Sequence, residues 1–214
     1  MADAHGRPGL NRLAQMVQTL KKTMVLALIL FACSAAQGAS IAKDEIVLEL
    51  NPAQTEVNFT LPDVLHTVHG TFQLRGGTVR FNPATGAASG AVTVDVASGA
   101  SGSPARDRKM HKEILESGRY PEAVFTPERV EGRFSPEGVA ELQVHGLFKI
   151  HGGEHEMVFQ TRVETKGDQL VVNMHAVLPY VQWGMKNPST FILRVSDKVQ
   201  LDIHATGHIH PATG

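Results

Sequence analysis

Residues 103–127 read SPARDRKMHKEILESGRYPEAVFTP, and this stretch carries the clearest helix signal in a chain otherwise rich in short β-type patterns. Ser103 has a side chain suited to capping a helix N-terminus, and Pro104 suits the first turn because its missing N–H is not needed there. Gly118 stands where a helix C-terminus is expected. The stretch therefore predicts a single long helix over residues 104–117.

The predicted helix has one apolar stripe and is charged elsewhere. Met110 and Ile114 lie four residues apart, which places them on the same helical face, and Leu115 extends that face. A helix of this kind buries one side and leaves the other in water. Since strands precede and follow it, we expect it to cover one end of a β-barrel.

Alternation of apolar and polar residues recurs along the rest of the chain and predicts β-strands. The turn signals between them include Asn82-Pro83, Gly152-Gly153 and Lys166-Gly167-Asp168. The predicted strands are residues 46–50, 57–61, 72–81, 92–96, 125–130, 139–150, 157–163, 170–178 and 199–205. Strands of this kind form an antiparallel barrel or sandwich, and the barrel is favoured because closure removes the sheet edges. We predict an all-β fold, an antiparallel barrel of eight strands or slightly more with one capping α-helix.

Residues 179–197 break this regularity. The segment contains Pro179 and Pro188, one of the two tyrosines, Tyr180, and the single tryptophan of the sequence, Trp183. It is predicted to be a long loop or a broken strand. Two interpretations remain open: the aromatic residues plug one end of the barrel, or they gate a ligand.

The N-terminus has the pattern of a secretory signal peptide. Lys21 and Lys22 precede an uncharged run over residues 24–36, and small residues follow up to Gly38. The run is too short for a membrane span, which needs ~20 residues. We predict a signal peptide over residues 1–38 and a periplasmic or secreted protein without a transmembrane segment.

The remaining residues, 39–214, form one predicted domain. Cys33, the one cysteine of the sequence, lies in the apolar run of the leader, where an imperfect lipobox leaves lipoprotein processing as an alternative. After ordinary cleavage the mature chain contains no cysteine and no disulfide. Because the leader holds four basic residues and one acidic residue, the net charge moves from −1 to −4. Such a chain is a poor candidate for binding nucleic acid.

One motif suggests a metalloenzyme. His151, Glu154 and His155 match the H-x-x-E-H pattern of inverted zinc peptidases, whose chemistry requires a helix. Here Gly152 and Gly153 lie in the middle and strands flank both sides, so a hairpin turn is predicted. The sequence also lacks a nucleophile elbow and a glycine-rich phosphate loop. We therefore predict that the protein is not an enzyme and needs no cofactor.

A weaker metal candidate lies near the C-terminus. His204, His208 and His210 belong to the last predicted strand, where imidazoles on one side could bind a transition metal. The alternative is a histidine-rich terminus without a metal.

The helical stretch also carries a resemblance to a known family. Arg106-Asp107, Met110, Leu115, Tyr120-Pro121 and Phe125 resemble the signature region of the YceI-like family. Further similar segments are VHGTF at 68–72, TVRFNP at 78–83 and VHGLFKIHG at 144–152. The resemblance implies a lipocalin-like barrel, a periplasmic or secreted location, and binding of a polyisoprenoid or another lipid.

From this resemblance we expect a carrier protein that holds a long-chain isoprenoid or fatty-acyl lipid inside the barrel. An apolar inner face is equally compatible with a filled core, so a filled-barrel interaction or stress-response protein and a histidine-dependent metal binder remain as alternatives. A homodimer is also left open. Arg106 is a candidate for contact with a lipid headgroup, or it pairs with a carboxylate on the barrel rim. The expected ligand-binding residues are Phe59, Phe72, Leu74, Val94, Met110, Ile114, Gly146, Phe148, Phe159, Met174, Tyr180 and Trp183.

Overall fold

The computed structural model describes residues 45–63, 67–190 and 194–211. Within these residues each of the nine predicted runs forms a strand, most of them longer than predicted. The strands are β1 (Ile46–Leu50), β2 (Glu56–Leu61), β3 (Val68–Phe81), β4 (Ala88–Ala100), β5 (Glu122–Glu131), β6 (Gly138–Ile150), β7 (Gly153–Lys166), β8 (Gln169–Leu178) and β9 (Val199–Pro211).

The strands close into an antiparallel barrel. Neighbours follow the ring β3–β2–β9–β8–β7–β6–β5–β4, and the pairing of β4 with β3 closes it. β1 pairs with the far ends of β3 and β9, so β1 and β2 share one position in the ring. A 3₁₀ turn, Pro52–Gln54, separates them, and the Asn51 side chain accepts a hydrogen bond from the Ala53 N–H. The predicted eight-stranded barrel is therefore confirmed.

The burial of β7 shows why these sequences form a barrel wall. Every second residue from Met157 to Thr165 is buried, and the residues between them are exposed. In a strand, successive side chains point to opposite faces, so this pattern places one apolar face inside and one polar face outside. Burial of the inner face is the main source of stability.

The helix differs from its prediction. An α-helix, α1 (Pro104–Lys109), leads directly into a π-helical turn, Met110–Ile114, instead of continuing to residue 117. The predicted stop was also wrong, because Glu116 rather than Gly118 takes the left-handed conformation, with φ of 45°. Ser103 has an extended N-cap backbone, yet its side chain makes no capping hydrogen bond.

The π-helical turn follows from the contacts that its ends make. The Leu115 N–H donates to the Met110 carbonyl and the Ser117 N–H donates to the His111 carbonyl. The first bond spans five residues and the second spans six, whereas an α-helical bond spans four, so the last turn is wider than an α-helical turn. The widened turn directs Met110, Ile114 and Leu115 toward the barrel interior.

In the described part of the chain, no helix has the length and apolar character needed to cross a bilayer. The predicted signal peptide, residues 1–38, and Cys33 lie outside the described residues.

Candidate ligand-binding cavity

The barrel encloses a cavity of about 260 Å³. Its lining comes from both ends of the barrel, and the described residues that form it include no charged side chain. Thr55, Thr161 and Tyr180 are the lining residues that carry a polar side-chain group. Each of these hydroxyls donates a hydrogen bond to a backbone carbonyl: that of Asn51, Phe159 and Ser196, respectively. The cavity therefore offers an apolar surface with little capacity to solvate a charge.

The cavity extends along the barrel, as strand β9 shows. Its inner face contributes Val199, Leu201, Ile203, Ala205 and Ile209 to the lining. Ten residue steps separate the first from the last, which corresponds to roughly 33 Å along an extended strand. Because barrel strands are tilted, the axial length is shorter. The shape suits an elongated apolar molecule.

Two side-chain clusters surround the cavity. The cluster near α1 contains the aromatic pairs Phe59–Phe72, with ring centroids 5.3 Å apart, and Phe125–Phe159, with ring centroids 4.9 Å apart. The cluster at the opposite end is mostly aliphatic, and its buried members are Ala140, Leu142, Val163, Leu170, Val172 and Ala205. One half of the cavity is thus surrounded by packed aromatic rings and the other half mostly by aliphatic side chains.

The end of the barrel near α1, here called the cap end, is formed by two segments. The helical segment contributes Met110, Ile114 and Leu115 to the lining, while the loop after β8 contributes Tyr180, Met185 and Pro188.

His111 attaches the helical segment to the barrel wall. Its Nε2 lies 2.8 Å from the Gly99 carbonyl oxygen on β4, and its Nδ1 lies 3.1 Å from the Ser117 hydroxyl. Because a carbonyl can only accept, Nε2 carries the hydrogen, and in the neutral ring the Ser117 hydroxyl donates to Nδ1. This role of His111 was not predicted from sequence, since a lone histidine on a helix gives no signal of such a bond.

Comparison with known proteins agrees with this architecture. The family model of the YceI-like domain matches residues 48–207, about three quarters of the chain. The chain belongs to the YceI-like family. No relative is found among curated proteins.

Several solved structures have a fold similar to that of this chain. BcnA of Burkholderia cenocepacia is 20% identical, with a TM-score of 0.61, and the match covers 73% of this chain and 98% of BcnA. A polyisoprenoid-binding domain from Saccharophagus degradans is 13% identical, with a TM-score of 0.60 and coverage of 78% and 98%. The YceI protein of Campylobacter jejuni is 18% identical, with a TM-score of 0.56 and coverage of 67% and 86%. At these identities the likeness concerns the fold, and with the family it supports a binding-protein role for the barrel.

Most of the residues expected to bind ligand line the cavity of this YceI-like barrel. Ten of them belong to the lining: Phe59, Phe72, Leu74, Val94, Met110, Ile114, Phe148, Phe159, Met174 and Tyr180. Their contact with a ligand stays a prediction. Gly146 and Trp183 do not belong to the lining. Lining residues at the opposite end, such as Leu48, Val172 and Ile209, were not predicted, although the alternation of apolar residues in β1, β8 and β9 could have identified them.

Gly146 lies on the inner side of β6, but it does not leave space in the cavity. A Cβ atom at this position would lie 2.2 Å from the Thr126 carbonyl oxygen and 2.9 Å from both Phe125 Cζ and Pro127 Cα. The register of β5 and β6 shifts between Pro127 and Arg129, which brings the β5 backbone against this glycine. Gly146 is one of the expected ligand-binding residues, but it opens no volume for a ligand.

Trp183 packs at the border of the cap end. Its indole stacks on the His155 imidazole with ring centroids 4.2 Å apart and an angle of 3° between the planes. Phe148 lies 6.2 Å away on the other strand of the same hairpin. Burial lowers the pKa of His155. The aromatic loop thus contacts the barrel wall as well as the cavity.

Arg106 is exposed, and among the described residues no carboxylate on the barrel rim pairs with it, contrary to the second interpretation. Its Nε lies 2.8 Å from the Ser101 hydroxyl, and a terminal nitrogen donates to the Ser101 carbonyl at 3.1 Å. Asp107 also accepts hydrogen bonds from Ser101, and the hydrogen bond from the Ser101 side chain is the largest cause of the lowered pKa of Asp107. The hydrogen bonds of Arg106 and Asp107 to Ser101 hold the start of α1. Contact of Arg106 with a lipid headgroup stays a prediction.

The histidines considered as metal ligands do not converge. His204, His208 and His210 are exposed on the outer side of β9. His204 bonds to Asn173 at 2.7 Å, and His208 lies 3.4 Å from Asp168. Across the described ranges, no group of three potential ligands could hold a metal ion.

The H-x-x-E-H motif forms the tight turn between β6 and β7, as predicted. His151 has a left-handed φ of 52°, lies 3.7 Å from Glu116 and contacts the Tyr120 ring. With the two imidazoles on a hairpin rather than on one face of a helix, the motif does not have the geometry of a zinc peptidase.

Proposed function

We propose that this protein binds the long apolar chain of a lipid, of the polyisoprenoid or fatty-acyl type, inside its barrel. In this proposal it acts as a carrier or store rather than as an enzyme. The observation that carries the proposal is the cavity of about 260 Å³, which is lined, in the part of the chain that the structure describes, by uncharged residues alone. A polar substrate would lose its hydration in such a site without finding partners.

The size of the hydrophobic effect supports a long chain over a small apolar molecule. Micromolar binding needs about 8 kcal/mol, and burial yields about 0.8 kcal/mol per CH₂ group. A chain of about ten to fifteen carbons supplies that free energy before the cost of association is subtracted. Because this cost is several kcal/mol, still longer chains are favoured. Membership in the YceI-like family and the polyisoprenoid-binding domain of S. degradans support the isoprenoid type.

The predicted signal peptide supports a role outside the cytoplasm. A lipid chain released into water between membranes is poorly soluble, so a barrel that covers it would allow transfer or storage. The proposed location is therefore the periplasm or the extracellular space.

Organic extraction of the purified protein, followed by mass spectrometry of the extract, tests the proposal. The expected result is one class of long-chain lipid in near-stoichiometric amount, with isoprenoid and fatty-acyl chains distinguished by mass. An extract without lipid, together with no uptake of added polyprenol or fatty acid, would favour a filled-barrel interaction protein instead.

A further inference from the structure

The loop over residues 179–190 closes part of the cap end. Its residues Tyr180, Met185 and Pro188 line the cavity. A turn shapes the loop, because the Met185 N–H donates to the Tyr180 carbonyl at 3.1 Å. The Tyr180 hydroxyl donates to the Ser196 carbonyl at 2.8 Å, which fixes one side of the loop. A ligand that enters or leaves at this end has to pass this loop or the helical segment beside it.

Trp183 joins the loop to the neighbouring part of the barrel wall. The nearly parallel stack on His155, with centroids 4.2 Å apart, connects the loop to β7, and the contact with Phe148 connects it to β6. Trp183 itself does not line the cavity. Its side chain therefore holds the loop in place rather than forming the ligand surface.

His155 makes this contact sensitive to protonation. Its Nε2 is buried and has no hydrogen-bond partner, so a proton added to the ring would leave a charged N–H without an acceptor. Three uncharged neighbours in the described part of the chain lie against it: Trp183 from the loop, Phe148, its cross-strand partner on β6, and Gly153, where an added Cβ would lie 2.8 Å from Nε2. Attraction between an imidazolium and the indole face would favour protonation, whereas burial opposes it.

The charged groups at neighbouring positions have other partners. Lys149 and Glu154 lie 3.9 Å apart and are largely exposed, so water screens their charges. His151 lies 3.7 Å from Glu116 at the end of the helical segment. No ion pair of His155 occurs among the described residues. The buried Nε2 of His155 thus lies in the contact that holds the loop, and it has no charged partner among the described residues.

We propose that the stack of His155 and Trp183 is a pH-sensitive latch that holds the loop over the cap end in neutral solution and releases it in acid. The effect on ligand exchange rests on the proposed lipid-binding function. The state of the latch can be observed without any ligand, because Trp183 is the single tryptophan of the sequence.

The direction of the pH effect is set by the closed loop, which favours the neutral form of the His155 ring. Burial lowers the pKa of His155 in the closed loop, while a ring released into water titrates near the usual value of about 6.5. The contribution of the latch is therefore fully present above about pH 6.5 and declines as the pH falls below it.

The test uses the full mature protein with His155→Phe, which keeps an aromatic ring without a titrating group. Acrylamide quenching of Trp183 is measured at about pH 7.5 and about pH 5, and in the wild type it should rise about threefold or more in acid. His155→Phe should remain shielded at both pH values. His155→Gln removes both the aromatic ring and the titrating group. It serves as a second variant if the phenylalanine ring does not fit at position 155. His175→Gln, on the outer wall, should behave as wild type.

The rate at which cis-parinaric acid leaves the protein for phosphatidylcholine vesicles provides the second readout. Faster release in acid by the wild type, but not by His155→Phe, supports the latch. A pH-independent quenching of the wild type, or the same acid response in His155→Phe and His155→Gln, overturns it. If the quenching follows the expected pattern and no probe binds at either pH, the latch stands and the proposed binding of fatty-acyl chains fails.

Discussion

Gly146 on β6 lies so close to Thr126 on β5 that a Cβ atom would stand 2.2 Å from the Thr126 carbonyl oxygen. The contacted atom belongs to the backbone, so it cannot move aside as a flexible side chain would. Gly146→Ala should therefore destabilise the barrel by about 1–3 kcal/mol or more. Urea denaturation followed by far-UV circular dichroism measures the difference.

Gly76 on β3 is the matched control for this substitution. It also lies in a strand, at a register shift, but a Cβ there meets no atom within 4 Å. Gly76→Ala should change stability by less than about 1 kcal/mol and is more apt to stabilise, since it restricts the unfolded chain. Equal destabilisation by the two substitutions would contradict the close approach at Gly146.

Removing the His111 imidazole should loosen the cap end. His111→Ala removes the hydrogen bonds to the Gly99 carbonyl and the Ser117 hydroxyl, which then lose their imidazole partner. A loss of about 1–3 kcal/mol is expected. Hydrogen exchange should show the increased opening within residues 104–115. His175→Ala, which breaks an exposed pair with Asp202, should cost about 0–1 kcal/mol and leave exchange in that segment unchanged.

Tyr180 should make the stability of the protein fall in strongly alkaline solution. Burial is the main cause that raises the pKa of its phenol to about 12, and Asp197 contributes. An acid with a raised pKa favours the neutral form in the folded state. Its contribution is thus present below about pH 10 and is lost as the pH rises from about 10 toward 12.

Phenolate absorbance during an alkaline titration follows this group. Tyr180→Phe should lose the late-titrating phenol and the hydrogen bond to Ser196, and it should show a smaller decline of stability over the same pH range. A wild-type spectrum in which both tyrosines ionise near pH 10 with the barrel still folded would contradict the buried environment of Tyr180.

Two alanines distinguish the cavity from the packed wall. Ala205 and Ala140 are both buried in the aliphatic half of the barrel, at 2% and 6% exposure, but Ala205 lines the cavity and Ala140 does not. Ala205→Leu should occupy space that the ligand uses. Three displaced methylene groups correspond to about 2 kcal/mol, or roughly thirtyfold weaker binding of cis-parinaric acid.

Ala140→Leu should act on stability instead. Its larger side chain has no cavity to enter, so it should overpack the wall and cost about 1–3 kcal/mol with unchanged affinity per folded molecule. Fluorescence titration and thermal unfolding of both variants give the comparison. Equal effects of the two changes on affinity would mean that the cavity surface near Ala205 is not the binding surface.

Local patterns were sufficient to predict the strands of this fold. The alternation of apolar and polar residues in β7 or β9 reflects one buried and one solvent-exposed face, and each strand encodes this pattern in its own sequence. The closure of the ring was also predictable, because exposed edges are unfavourable. The sharing of one barrel position by β1 and β2 could not be predicted, because it depends on how Asn51 and the 3₁₀ turn fit against β3 and β9.

The errors concern features that depend on packing between distant elements. The clash at Gly146 comes from a register shift in the neighbouring strand, and the π-helical turn comes from the fit of Met110 and Leu115 over the barrel. Trp183 was expected at the ligand, yet its partner is His155 on a strand far away in sequence. Ten of the twelve expected ligand-binding residues line the cavity because they were chosen as apolar residues on inner faces. Sequence could not distinguish a hollow interior from a filled one, because both need the same apolar face.

A crystal structure of the protein loaded with a long-chain polyprenol or fatty acid tests the central claim most directly. The account predicts continuous, elongated density inside the barrel, in contact with Phe159 in the aromatic half and with Val172 and Ala205 in the aliphatic half. An interior filled by the side chains alone, with lipid absent or bound to the outer surface, would contradict it.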